Sequence, residues 1–198
     1  VSCVWLCWSD MQKINDMAFQ QKNILWHEIV WSVIISKNKD ILWKKVVIDP
    51  LISCKKCLSC LANKPALCKK IKAIWRNIDW WFAEYVKVPE ENIYLLPAKD
   101  DEYVYTLTDS VACVIHWLNL INQKNIKKVA IIWDWTLWTI AAILCSKLFW
   151  DITIYGKKNI GIMKQFSIKT EKNIETKKEY DLVIEAVWRN QSTTINSA

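Results

Sequence analysis

Glycine is almost missing from this chain, with 2 residues in 198, while tryptophan occurs 14 times. Average usage of about 7% would give roughly 14 glycines in a protein of this length, so the two counts look exchanged. Arginine is as scarce: Arg76 and Arg189 are the only two, and the formal net charge of +7 is carried by lysine. Readers of nucleic acid favour arginine forks and clustered basic stripes. These lysines are scattered among isoleucine and asparagine, which points to AT-rich codons, and no nucleic-acid partner is expected. No internal repeat or low-complexity tract is present. The apolar run 129–150 has the length of a membrane span, but it contains Asp134 and Lys147. It reads as strand, loop and helix, so no membrane helix is expected.

Cysteine is informative through its spacing. Of 8 cysteines, Cys54, Cys57, Cys60 and Cys68 follow the pattern C-x2-C-x2-C-x7-C. Neighbours this close converge on one ion more readily than they form disulfides, which predicts a tetrahedral thiolate site and a reducing cytoplasm. Taken alone, the cluster also fits a zinc ribbon or an iron–sulfur site.

Residues 1–116 read as short strands and turns. Alternation over residues 29–35 and 45–50 predicts β-strands, with Trp31 and Trp43 at positions where a turn or bulge wants glycine. Residues 103–122 look helical, with Val111, Val114, Ile115 and Leu118 on one face. Residues 127–132 then predict a buried parallel strand, 139–149 its crossover helix and 151–155 the next strand, with a further strand over 180–186. Residues 171–178 form a charged, solvated stretch.

The segment Trp133-Asp134-Trp135-Thr136-Leu137-Trp138 lies between a predicted strand and a predicted helix. With each tryptophan read as glycine it becomes G-x-G-x-x-G, in which successive glycines turn the chain, admit a pyrophosphate and let helix pack on strand. The same exchange turns Cys7-Trp8-Ser9-Asp10 into C-G-S-D, Trp26-His27-Glu28 into G-H-E, and residues 79–85 into D-G-G-F-A-E-Y. Read this way, three separate segments resemble one family, the zinc-dependent medium-chain alcohol and polyol dehydrogenases. The exchange is expected if UGA codons are read as glycine in the source cell and were translated as tryptophan; UGG at these positions would contradict it.

The resemblance implies an α/β fold: a GroES-like β-rich catalytic domain over residues 1–116, then a truncated Rossmann dinucleotide-binding domain over 117–198. Because the chain begins and stops inside motifs, it is expected to be a fragment of a longer enzyme. The implied catalytic zinc ligands are Cys7 and His27, with Glu28, a direct ligand in polyol-type relatives and close to the metal in others. Asp109 stands where relatives carry a ligating Cys or Glu; Cys113 competes for that role, though it reads more simply as a buried core residue. Ser9 matches the hydroxyl that relays the alcohol proton, and Asp10 the carboxylate that orients the zinc histidine. Relatives often continue the relay with a histidine where this chain has Gln12. Cys54, Cys57, Cys60 and Cys68 match the family's structural zinc lobe.

Trp133, Trp135 and Trp138 mark the cofactor loop, with the pyrophosphate on the following helix N-terminus. The carboxylate that selects NAD is missing after the second strand, where Tyr155-Gly156-Lys157-Lys158 stands instead. Lys157 would suit the 2′-phosphate of NADP, although lysine in a lysine-rich loop also has a plain surface reading. The implied activity moves a hydride between a small-molecule secondary alcohol, polyol or sugar-alcohol phosphate and NADP or NAD. Residues 48–52 and 109–113 resemble the sorbitol, sugar-alcohol-phosphate and threonine dehydrogenase branch. A homo-oligomer, dimer or tetramer, is expected of the full-length enzyme. Two other readings stay open: a zinc-binding interaction module, and a non-catalytic homologue.

Overall fold

A computed structural model describes residues 3–5, 28–74, 84–98, 101–132, 136–156, 160–173 and 178–185. The chain divides into two compact units, Val1–Asp109 and Ser110–Ala198.

The first unit is built on an antiparallel sheet of order β1-β2-β3-β6, formed by β1 (Cys3–Val4), β2 (Ile29–Ser32), β3 (Lys45–Ile48) and β6 (Ile93–Leu95). Side chains two apart share a face of a strand. Accordingly Ile29, Trp31 and Val33 meet Val46 and Ile48, and Ile41 and Ile74 close the core around them. Val30 and Val47 are buried on the opposite face, so these strands are apolar on both sides rather than half-solvated. A second, two-stranded antiparallel sheet pairs β4 (Leu51–Ile52) with β5 (Lys72–Ala73). The loop between them carries α1 (Leu58–Leu61) and a 3-10 helix (Pro65–Leu67). Buried Asn92 secures the start of β4, its amide donating to the carbonyls of Asp49 at 2.9 Å and Leu51 at 3.0 Å.

Trp31 departs from the sequence expectation. It occupies no turn or bulge, but lies within β2 opposite Val46 and is buried in the core. Trp43 does sit in the turn before β3, with a positive φ of 64°.

The helix expected over 103–122 is two helices, α2 (Glu102–Tyr105) and α3 (Thr108–Leu120). At the break, Thr106 and Thr108 donate their hydroxyls to the carbonyls of Tyr103 and Tyr105 at 2.7 and 2.6 Å. Such local side-chain bonds compete with the helical ladder. Val114 and Leu118 are buried as the periodicity predicts, whereas Ile115 is largely exposed.

The second unit is a parallel sheet of order β10-β7-β8-β9, made of β7 (Lys128–Ile132), β8 (Asp151–Tyr155), β9 (Lys169–Glu171) and β10 (Leu182–Glu185). The crossover from β7 to β8 is α4 (Thr136–Leu148), which begins three residues before the expected start; α5 (Ile160–Gln165) precedes β9. Both strand faces are covered, so Val129, Ile131 and Ile154 are almost fully enclosed, with Ala141, Ala142 and Cys145 buried on α4. The chain steps outward from β7 to β8 to β9, then returns to the other side of β7 with β10. This is the order of a dinucleotide-binding sheet, whose ligand crevice opens where the winding reverses, beyond the carboxyl ends of β7 and β10. Among the described residues, no helix is long and apolar enough to cross a membrane.

Candidate metal centre and dinucleotide crevice

Cys54, Cys57, Cys60 and Cys68 come together in the loop between β4 and β5, all four sulfurs within 4.8 Å of one another. Cys54 Sγ lies 4.0 Å from Cys60 Sγ, and Cys57 Sγ lies 3.5 Å from Cys60 Sγ. Four sulfurs on a tetrahedral zinc at about 2.3 Å stand roughly 3.8 Å apart, so the separations suit one ion. The amides of Cys54 and Lys70 donate to Cys68 Sγ at 3.3 and 3.4 Å, as expected of N–H groups that orient a ligand sulfur.

The thiols are driven in opposite directions. Cys54 falls to about 6, chiefly through the backbone N–H of Lys56 and then that of Cys57. Cys57 is also lowered, first by the backbone N–H of Cys60. Cys60 is pushed up to about 11 by burial and by the sulfurs of Cys57 and Cys68. With Cys54 and Cys57 inclined to ionise and Cys60 resisting, the cluster needs a cation before all of its sulfurs become thiolates.

The lobe has little else to hold it. Neither α1 nor the 3-10 helix buries a residue, and Leu58, Leu61 and Leu67 are exposed. Among the described residues this is the one group of three or more potential ligands close enough to share an ion.

Other sequence-derived sites are described only in part. Cys7, Ser9, Asp10, Gln12, His27, Trp133, Trp135, Lys157 and Lys158 lie outside the described residues. Glu28 is buried just before β2, its carbonyl accepting from the Trp5 amide at 2.9 Å. Asp109 is half-buried in the first turn of α3. Cys113, one turn on, is exposed, which corrects its reading as a core residue. The core cysteine is instead Cys145 on α4, whose thiol burial pushes up to about 11.

At the crevice end of the parallel sheet, β7 finishes at Ile132 and α4 opens at Thr136. Trp138 lies in the first turn of α4, its ring 5.9 Å from that of Trp117 on α3 and tilted by 44°. Tyr155 closes β8, and the following Gly156 donates its amide to the Glu171 carbonyl at 2.9 Å. Sequence reasoning did not anticipate Asp181 at the opposite end. Its carboxylate accepts from the amides of Lys127 and Lys128, both at 2.8 Å, tying the start of β10 to that of β7. An acidic residue directly before a strand was the available signal.

No protein-family profile matches the chain. By sequence it is similar to the L-threonine 3-dehydrogenase of Bacillus licheniformis, with 38% identity over 65 residues, 33% of this chain and 19% of that protein. It is also similar to the L-galactonate-5-dehydrogenase of Escherichia coli, with 31% identity over 103 residues, 50% of this chain and 30% of that one. By structure it is similar to Escherichia coli L-idonate 5-dehydrogenase, with a TM-score of 0.79 and 18% identity over 96% of this chain and 62% of the other. Galactitol-1-phosphate dehydrogenase from the same organism gives 0.71 and 22% identity, over 85% of this chain and 51% of the other. The matched stretch spans under a third of these curated relatives in sequence, and 51% and 62% of the two solved structures. In sequence the chain is thus similar, over part of its length, to threonine and galactonate dehydrogenases, and it has the fold of the solved dehydrogenases, a GroES-like unit followed by a Rossmann unit.

Proposed function

We propose that the whole protein is a zinc-dependent oxidoreductase that moves a hydride between a secondary alcohol, polyol or sugar-alcohol phosphate and NADP or NAD. The observation that carries this reading is the presence, in one chain, of the four-thiol cluster in the first unit and a parallel sheet of dinucleotide-binding order in the second. Similarity to threonine and galactonate dehydrogenases supports the same class of substrate.

In this reading Cys54, Cys57, Cys60 and Cys68 hold a structural zinc, whose role is to fold their loop. Cys7 and His27, with Glu28 and Asp109, would hold a second, catalytic zinc, which when bound supplies Lewis-acid polarisation of the substrate oxygen. Ser9 accepts the hydroxyl proton of the alcohol and passes it outward. The nicotinamide, when bound, would supply the acceptor for the carbinol hydrogen and its bonding electrons. Residues 133, 135 and 138 would hold the pyrophosphate, and Lys157 would pair with the 2′-phosphate of NADP. We place the enzyme in the cytoplasm, as a homo-oligomer, with a small molecule rather than nucleic acid or membrane as its partner.

The test is a polyol panel offered with NADP and with NAD to the complete enzyme, carrying glycine at the tryptophan positions. Reduced nicotinamide should form, and Cys7→Ser should abolish it. Zinc binding with no turnover on any alcohol would favour an interaction module. Turnover unchanged by Cys7→Ser would remove the catalytic zinc from the mechanism.

A further inference from the structure

The connection from β2 to β3 ends in a tight turn over Ile41, Leu42, Trp43 and Lys44. Lys44 N donates to Ile41 O at 3.2 Å, closing the turn. Leu42 has φ −59° and ψ 136°, and Trp43 follows with φ 64°. These are the dihedrals of a type II turn, which requires a positive φ at its third residue and takes glycine, or asparagine, there. Any side chain in this conformation crowds its own backbone, and glycine alone escapes the cost. Of the four other positive-φ residues described, Asn63 and Asn125 are of the type that tolerates it, while Lys55 and Ser167 bear the same cost with smaller or more flexible side chains.

The indole at position 43 recovers nothing for that cost, since it is 74% exposed. The backbone is what the hairpin uses: Trp43 N donates to Val33 O at 2.7 Å, and Val33 N donates to Lys44 O at 3.0 Å. Trp150, between α4 and β8, is 95% exposed, although tryptophan is on average a heavily buried residue. At position 43 the backbone favours a residue without a side chain, and at neither position does the indole gain burial.

We infer that the cell making this protein inserts glycine at position 43, from a UGA codon, and at every other tryptophan position that UGA encodes. Positions whose geometry does not demand glycine, such as buried Trp31, follow with Trp43 only where UGA encodes them. Position 43 belongs to none of the motifs that suggested the dehydrogenase reading, so its codon and peptide test the inference without an activity assay.

The test is the codon at position 43 together with mass spectrometry of the peptide spanning it from the native protein. UGA in the gene and glycine in the peptide are expected. A UGG codon, or an indole-bearing residue in the peptide, overturns the inference. A second reading uses Trp43→Gly and Trp43→Ala in the chain as written. Trp43→Gly should raise the thermal midpoint and Trp43→Ala should raise it less, because alanine keeps the Cβ that the turn resists. A midpoint highest with tryptophan would contradict the turn argument, and if none of the three chains folds, the peptide mass decides.

Discussion

Cys57 Sγ lies 3.5 Å from Cys60 Sγ, in contact across a loop whose helices bury nothing. The cluster, not a core, holds residues 54–68. Chelation should therefore release one zinc for each set of four thiols and make all four reactive to a thiol reagent. An unchanged circular dichroism spectrum and no new thiol reactivity would count against this.

The same cluster sets a pH dependence. Zinc needs four thiolates, and Cys60 holds its proton up to about 11 in the metal-free lobe, so binding expels protons and affinity rises with pH. Competition with a chromophoric chelator should show zinc lost progressively as the solution is acidified.

Asp181 makes a separate prediction. Its carboxyl is held below the usual range, first by the amide of Lys128 and then by that of Lys127. A lowered folded-state pKa adds stability that is full above the unfolded value and is lost as pH falls through the folded one. Asp181→Asn should therefore flatten the acid side of the stability profile. Equal acid slopes in urea titrations of the two proteins would refute the assignment.

Buried polar bonds should outweigh exposed ones. Asn92→Ala leaves the carbonyls of Asp49 and Leu51 without their donor and should cost about 1–3 kcal/mol. Lys45→Ala, which removes a half-exposed ion pair to Glu102 at 3.0 Å, should cost at most about 1 kcal/mol. Urea midpoints in the reverse order would contradict this ranking.

In the parallel sheet, Ile154 is only 1% exposed. Ile154→Ala should lower stability by about 2–5 kcal/mol, measured by urea unfolding. A smaller loss would mean that the sheet is less tightly covered than its packing indicates.

What could be read beforehand divides by range. The thiolate cluster was legible because its ligands are neighbours in sequence, and β7, α4 and β8 because a buried parallel strand and its crossover helix write long apolar runs. The placement of β10 beside β7 is a pairing across some 50 residues, which no local pattern encodes. The break at Thr106 escaped notice because hydroxyl bonds to the preceding turn leave the apolar period intact. Trp31 and Trp43 looked alike as candidate glycine sites. Only the backbone separates them, one extended within a strand and the other at a φ of 64°. Asn92 gave no warning, since a polar residue in a connection does not announce burial.

The most direct measurement is the fate of hydrogen at the carbinol carbon. A polyol deuterated there should be offered with NADP or NAD to the complete enzyme carrying glycine at the tryptophan positions, and the reduced cofactor weighed by mass spectrometry. The account predicts one deuterium per reduced nicotinamide, and its loss in Cys7→Ser. Reduced cofactor bearing only solvent hydrogen, or none formed by a folded, zinc-loaded enzyme on any substrate of the panel, would contradict it.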